Sequence, residues 1–416
     1  MTEAVRGRLP VASVFKYYLY KATKAVEFYR PVMYLYFLSQ GLSFTHIATL
    51  EALYNLTTVL GEVPTGYVGD RVGRRNSLLV GTALITVTLV GIGFASTFAA
   101  LAVLFVAWSM GYNFRSGSED AWLYDTLTED LSESEFARVR GRGESVALVV
   151  GAGAAVVGGY LGGIDLAYPF FVAAGVTGLG LPALLTMSEP ATYEDATPDR
   201  LSLSRTLGIV RDAVTRRQLR SFILYYYVLF AAVLYLVFIF LQPIFETVAV
   251  DVGLPREQVE PVLGWYYAAI SLVAAGLSYQ AGAIKERVGL KTWFLTLPFV
   301  VAGALVAMYV VPVLALPAML FARGIADTTR ALASQYVNDR IESVGRATVL
   351  SAMAMVSGLA VIPFQLASGA LSDYSSPLAA LAVAGVVLAV GSLVVILWES
   401  PVGSPDLGQS LASDVE

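Results

Sequence analysis

The residues that could do chemistry are charged side chains set inside runs that are otherwise apolar. Glu27 and Arg30 lie three apart, Glu62 stands alone just before Pro64, Arg115, Glu119 and Asp120 share one run that ends near Asp125, and Arg323, Asp327 and Arg330 share another. An ionisable group at membrane depth costs roughly 2.5–3.5 kcal/mol on insertion scales, so each needs a partner or a task. A carboxyl shielded from water can carry a proton, which makes Glu27, Glu62, Asp120 and Asp327 candidates, with Arg115 as the cation that would respond to the change in charge. Arg30, Arg115 and Arg323 stand on three separate runs and would draw an anionic or polar solute if they face one cavity. Glu119, Tyr235 and Trp265 join them as candidate lining residues. The bland alternative is that Glu27–Arg30, Arg115–Glu119 and Arg323–Asp327 are spaced to satisfy each other along a helix.

Other chemistries are excluded. The chain has no cysteine and one histidine, His46, expected in an outer loop. Thiolate nucleophiles, a histidine-based metal site and a serine–histidine triad are therefore out of reach. No phosphate-binding G-x-x-x-x-G-K-[ST] loop occurs, so an ion gradient, with protons as the expected coupling ion, must supply any energy. No cofactor, metal, enzymatic activity or nucleic-acid partner is expected.

The elements that must hold these charges are long and apolar. Hydrophobic residues make up 56% of the chain and charged ones 14%, in blocks long enough to span a ~30 Å hydrocarbon core. Twelve helices are predicted, over 15–40, 46–68, 76–96, 99–124, 143–163, 167–188, 219–243, 259–281, 292–312, 314–338, 347–370 and 377–398. A polar stretch over 189–218 reads as a linker between an N-terminal six-helix bundle (1–188) and a C-terminal one (219–398), and the acidic tail over 399–416 reads as disordered. Lys and Arg crowd the segments on one side, while the other side holds only Arg256. That asymmetry predicts a multi-pass cell-membrane protein with both termini in the cytoplasm.

Between the second and third blocks runs Gly66-Tyr67-Val68-Gly69-Asp70-Arg71-Val72-Gly73-Arg74-Arg75. Its pattern returns 216 positions later, where Gly282, Glu286, Arg287, Gly289 and Lys291 keep the register of Gly66, Asp70, Arg71, Gly73 and Arg75. Two copies of one unit are implied. The pattern G-x-x-x-[DE]-R-x-G-x-[RK] resembles the loop signature of the major facilitator superfamily. That resemblance implies an all-α membrane protein of twelve helices in two pseudo-symmetric six-helix bundles, working by alternating access as a monomer on a small-molecule substrate within the lipid bilayer. It also implies that the two loops act as a conformational latch, which Arg142 and Arg346, at the starts of the fifth and eleventh helices, would engage.

The fifth helix carries Gly158-Gly159-Tyr160-Leu161-Gly162-Gly163, which resembles the G-P-x-x-G-G motif of antiporters except that Gly159 replaces the proline. Close helix packing would select the same glycines. The first expectation is therefore proton-coupled export of small amphipathic compounds, the second proton-coupled uptake of a small organic anion on the three arginines, and the third, from another class, a transporter-derived membrane sensor.

Overall fold

The computed structural model describes residues 11–128, 133–187, 189, 208, 219–341 and 346–403. Most of the expected linker and the tail beyond Gly403 lie outside the described residues. Among the described residues the secondary structure is helical throughout, with no strand. The first half holds α1 (Val11–Lys24), α2 (Met33–Ser39), α3 (Phe44–Val72), α4 (Arg74–Phe94), α5 (Phe98–Arg115), α6 (Ser118–Thr128), α7 (Glu133–Ile164), α8 (Tyr168–Gly178) and α9 (Gly180–Leu185). The second holds α10 (Arg220–Asp251), π-helical over Ile223–Phe230, and then α11 (Val259–Tyr279), α12 (Ala281–Val288), α13 (Leu290–Val310), α14 (Ala315–Asn338), α15 (Arg346–Tyr374) and α16 (Pro377–Trp398).

Nine helical stretches among the described residues are long and apolar enough to cross a membrane. The expected crossings outside that set are the first segment, α3 and α14. They carry Glu27 and Arg30, Glu51, and Arg323, Asp327 and Arg330 respectively. The polar residues that dilute hydropathy are thus concentrated on three elements, and the architecture is consistent with twelve crossings.

Three expected helices are broken, the sixth only briefly, at Leu179 between α8 and α9. The first, read as one helix over 15–40, is interrupted from Ala25 to Val32. Pro31 is the physical reason, because it lacks an N–H and crowds Arg30 out of the helical region. The fourth breaks between α5 and α6 at Gly117, whose φ of 75° turns the chain. His46, expected in a loop, lies in the first turn of α3, where its ring nitrogen and the Ser43 hydroxyl form a capping box.

The two halves pack through α3 against α15 and α7 against α11. Small residues make both contacts possible. A Cβ at Gly369 would meet the Phe44 carbonyl at 2.8 Å, and one at Gly159 would lie 2.9 Å from the Gly264 Cα. The other face of the same glycine-rich helix seats the broken segment, since a Cβ at Gly158 would overlap the Phe28 carbonyl and one at Gly162 would press on Val32 at 2.8 Å. Gly158 to Gly163 are therefore accounted for by packing on two sides.

At the end bearing the two latch turns, Glu399–Gly403, expected as tail, is tied down. Arg220 at the start of α10 pairs with Glu399 at 2.8 Å, the Tyr336 hydroxyl donates to the Pro401 carbonyl, and Arg340 donates to the Gly403 carbonyl at 3.0 Å.

Candidate functional site

The break in the first segment leaves backbone groups that a helix would have satisfied. Gln242 of α10, fully buried, takes them over. Its Oε1 accepts from the Tyr34 N–H at 2.7 Å and the Leu35 N–H at 3.4 Å, and its Nε2 donates to the Arg30 carbonyl at 2.8 Å. Irregular backbone at membrane depth is tolerable only when protein buries it or it lines a cavity, and both conditions hold here.

Below this junction lies a cavity of about 500 Å³ lined by both halves. Glu27 and Arg30 face it from the break, paired at 2.9 Å. Arg323, Asp327 and Arg330 face it from α14, with Asp327 3.5 Å from Arg323 and 4.0 Å from Arg330. The Arg323 and Arg330 side chains remain 52% and 72% exposed, so the cavity is open toward the latch end. The opposite end is sealed. There Asp373 of α15 accepts from the Phe44 and Thr45 N–H groups at the start of α3, at 2.7 and 2.9 Å, and Phe44 packs on Phe240.

Arg115 closes α5 and is buried. Gly81 gives it room, since a Cβ there would sit 2.8 Å from the Arg115 Cγ. Its Nε donates to the Tyr20 hydroxyl at 3.2 Å, while its Nη2 has no hydrogen-bond partner. The charged lining comprises Lys24, Arg30, Arg115, Arg323 and Arg330 against Glu27, Glu51 and Asp327, which leaves the cavity net positive. Tyr29, Tyr54, Phe105, Trp108, Tyr235 and Tyr267 supply aromatic wall.

Glu51 was missed by the sequence reading. It is an acid about two turns into α3, buried, accepting from the Tyr34 hydroxyl at 3.0 Å and the Tyr235 hydroxyl at 2.8 Å. The signal was present in the run Leu50-Glu51-Ala52-Leu53-Tyr54-Asn55, where Asn55 also lines the cavity one turn on.

Two expected proton-coupling acids, Glu62 and Asp120, and two expected lining residues, Glu119 and Trp265, lie away from the cavity. Glu62 is exposed and accepts from Ser351 of α15 at 2.9 Å. Glu119 does not pair with Arg115, because the turn at Gly117 redirects it to Lys21 at 2.7 Å and to Lys24. Asp120 faces α7, where Arg140 holds it at 2.9 and 2.8 Å. Trp265 is 57% exposed and donates to the Tyr160 hydroxyl at 3.4 Å, away from the cavity.

The latch residues form two turns. Gly73, at φ 96° and ψ 151°, ends α3 and starts α4, and Gly289, at φ 78° and ψ 146°, links α12 to α13. At the first turn Arg74 pairs with Asp125 at 2.7 Å and Arg75 donates to the Met187 carbonyl at 3.1 Å. Glu189 accepts from the Arg74 N–H at 2.6 Å and the Arg75 N–H at 3.1 Å, so it holds the α4 N-terminus. The side chains of Asp70 and Arg346 lie outside the described residues. Arg71 stacks on Tyr67 at 4.2 Å, while Gly66 and Gly282 have open space around them. Glu286, Arg287, Lys291 and Arg142 are exposed.

The family model for the Major Facilitator Superfamily matches residues 25–362. The chain belongs to the major facilitator superfamily. It is similar to the uncharacterized MFS-type transporter YxaM of Bacillus subtilis, 23% identical over 36% of each chain, and to MJ1317 of Methanocaldococcus jannaschii, 26% identical over 20% of this chain and 21% of that one. The matches thus span about a third or less of those curated relatives. Among solved superfamily structures, the nucleoside transporter NupG superposes with a TM-score of 0.76 at 13% identity, covering 93% of this chain and 98% of that one. A bacterial homolog of the human lysosomal transporter Spinster, inward-facing and occupied, superposes with a TM-score of 0.70 at 16% identity, covering 94% and 97%. These likenesses show the superfamily fold, and the chain is a multi-pass membrane protein of that family.

Proposed function

We propose that this transporter carries a small organic anion with a planar or aromatic body into the cell together with protons. The observation that carries this reading is Arg115, a buried guanidinium beside the cavity that has, among the described residues, one nitrogen unpartnered and no acid bound to it. A buried cation without its counter-charge is costly, and a bound anion would supply one. Arg30 and Arg323 each keep an internal acid partner and would strengthen the field rather than close it. The aromatic walls suit a flat organic body.

In this reading the latch end and both termini face the cytoplasm of the cell membrane, so the conformation described is open inward, and the protein works as a monomer by rocking its halves. Co-transported protons offset the anion's charge, and Glu27 and Asp327 are the acids expected in the sequence that do reach the cavity. The glycine-rich fifth crossing, which pointed to export, is occupied by packing and leaves direction to the charge of the cavity.

Purified protein should be stabilised against heat by benzoate-like carboxylates and not by the matching amides or benzylamines. Arg115→Gln should weaken carboxylate binding by about tenfold or more, the loss expected for a charge-assisted hydrogen bond. Stabilisation by the amines alone would overturn the proposal.

A further inference from the structure

We propose that Glu51 is the proton-binding residue of this transporter, and that its protonation loosens the seal between the first segment and α10. The inference builds on the proton-coupled reading above, but its geometry is separate from that of the anion site.

The cavity's other acids are engaged with cations: Glu27 with Arg30 at 2.9 Å, and Asp327 with Arg323 at 3.5 Å. Among the described residues, Glu51 makes its hydrogen bonds only to phenols. Tyr34, from the first half, donates to Oε1 at 3.0 Å, and Tyr235, from the second, donates to Oε2 at 2.8 Å. A carboxyl held by hydroxyls has partners in both protonation states, because it accepts from two when ionised and donates to one when neutral. It can therefore load and unload a proton without breaking a salt bridge.

The same two phenols connect this carboxyl to the seal. Tyr34 gives its hydroxyl to Glu51 and its backbone N–H to Gln242, while Tyr235 and Gln242 stand two helical turns apart on one face of α10. Ionised Glu51 thus links Tyr34 of its own half to Tyr235 of the other with two charge-assisted bonds, the second of which crosses between the halves just below the point where Gln242 closes the broken segment. Adding a proton turns them into neutral bonds of roughly half the strength and leaves one phenol to find another acceptor. Proton uptake at Glu51 then favours separation of the first segment from α10, and release restores the bridge. The nearby titratable and charged groups that would modulate this step are Arg30 and Glu27 from the break, Tyr54 on the Glu51 helix and Arg323 from α14.

The test uses protons as the only ligand. The chain has no cysteine, so Ser39→Cys with Val252→Cys gives a clean spin-label pair across the sealed end, placed on α2 and just after α10. Distances between the labels should widen as the pH of the reconstituted protein falls. Glu51→Gln, which mimics the protonated acid, should hold the wide distribution at every pH, shifting the closed-to-open ratio by about tenfold at neutral pH. Tyr235→Phe should shift it the same way by less, and Asp120→Asn, at an acid held by Arg140 away from the cavity, should keep the wild-type response. A Glu51→Gln protein that is monodisperse yet titrates like wild type would overturn the proposal, as would a wild-type distribution indifferent to pH. Because no solute is present, neither result bears on whether the substrate is an anion.

Discussion

The turns at Gly73 and Gly289 share a backbone and differ in everything around it. Both sit in a region of φ and ψ that only glycine occupies without strain, and each joins two helices in the same way. Around Gly73 the space is full: Glu189 lies where a Cβ would go, at 2.9 Å, and Asp125 and the Met187 carbonyl hold Arg74 and Arg75. Around Gly289 none of the described residues lies within 4 Å of a Cβ, and Glu286 and Arg287 are exposed. The partners at the first turn, among the described residues, come from its own half and from Glu189 at the start of the expected linker. The repeated turn is therefore a conserved piece of backbone geometry within this molecule, while the grip on it is built separately, and in this conformation it ties one bundle together rather than the two bundles to each other. Hydrogen bonds between the halves hold the sealed end through Gln242, Glu51 and Asp373, while nearer the latch end Glu62 accepts from Ser351.

Substitutions can sharpen or break that contrast. The largest effect should come from Gly73→Ala, which adds backbone strain of roughly 1–3 kcal/mol and displaces the Glu189 carboxylate, for a combined loss of about 3–5 kcal/mol. Unfolding of the purified protein in denaturant would measure it. Glu189→Ala should cost less, about 2 kcal/mol, because the α4 N-terminus loses a charged acceptor while the turn itself stays relaxed. Gly289→Ala should cost least, about 1–2 kcal/mol, from strain alone in a turn free to adjust. Equal losses for the two glycine variants would mean that the crowding at Gly73 contributes nothing, and the contrast would fail.

Much of this was legible in the sequence, and the omissions have physical causes. Block lengths predicted the crossings because hydrocarbon thickness sets helix length, and the repeat at fixed spacing predicted both turns. Arg30, Arg115, Arg323 and Tyr235 were expected in the cavity and line it. The break in the first segment was missed although Arg30-Pro31 announced it, because unbroken hydropathy hides a proline whose freed backbone a distant glutamine satisfies. Glu51 was passed over for Glu62 because both are lone acids on one helix. Only packing reveals which of them faces two tyrosines and which faces a serine near the latch end. Glu119 and Asp120 were placed on a continuous helix, and a single positive-φ glycine swung them onto Lys21 and Arg140 instead.

The segment from Glu399 to Gly403 carries a mechanical implication. By joining the end of α16 to the foot of α10 and to the end of α14, it splices three crossings of the second half at a single rim. Any swing of that half must then be transmitted as the tilt of one splinted unit, and the bending has to be taken up in the unspliced stretches above, such as the wide π-helical coil at Ile223–Phe230.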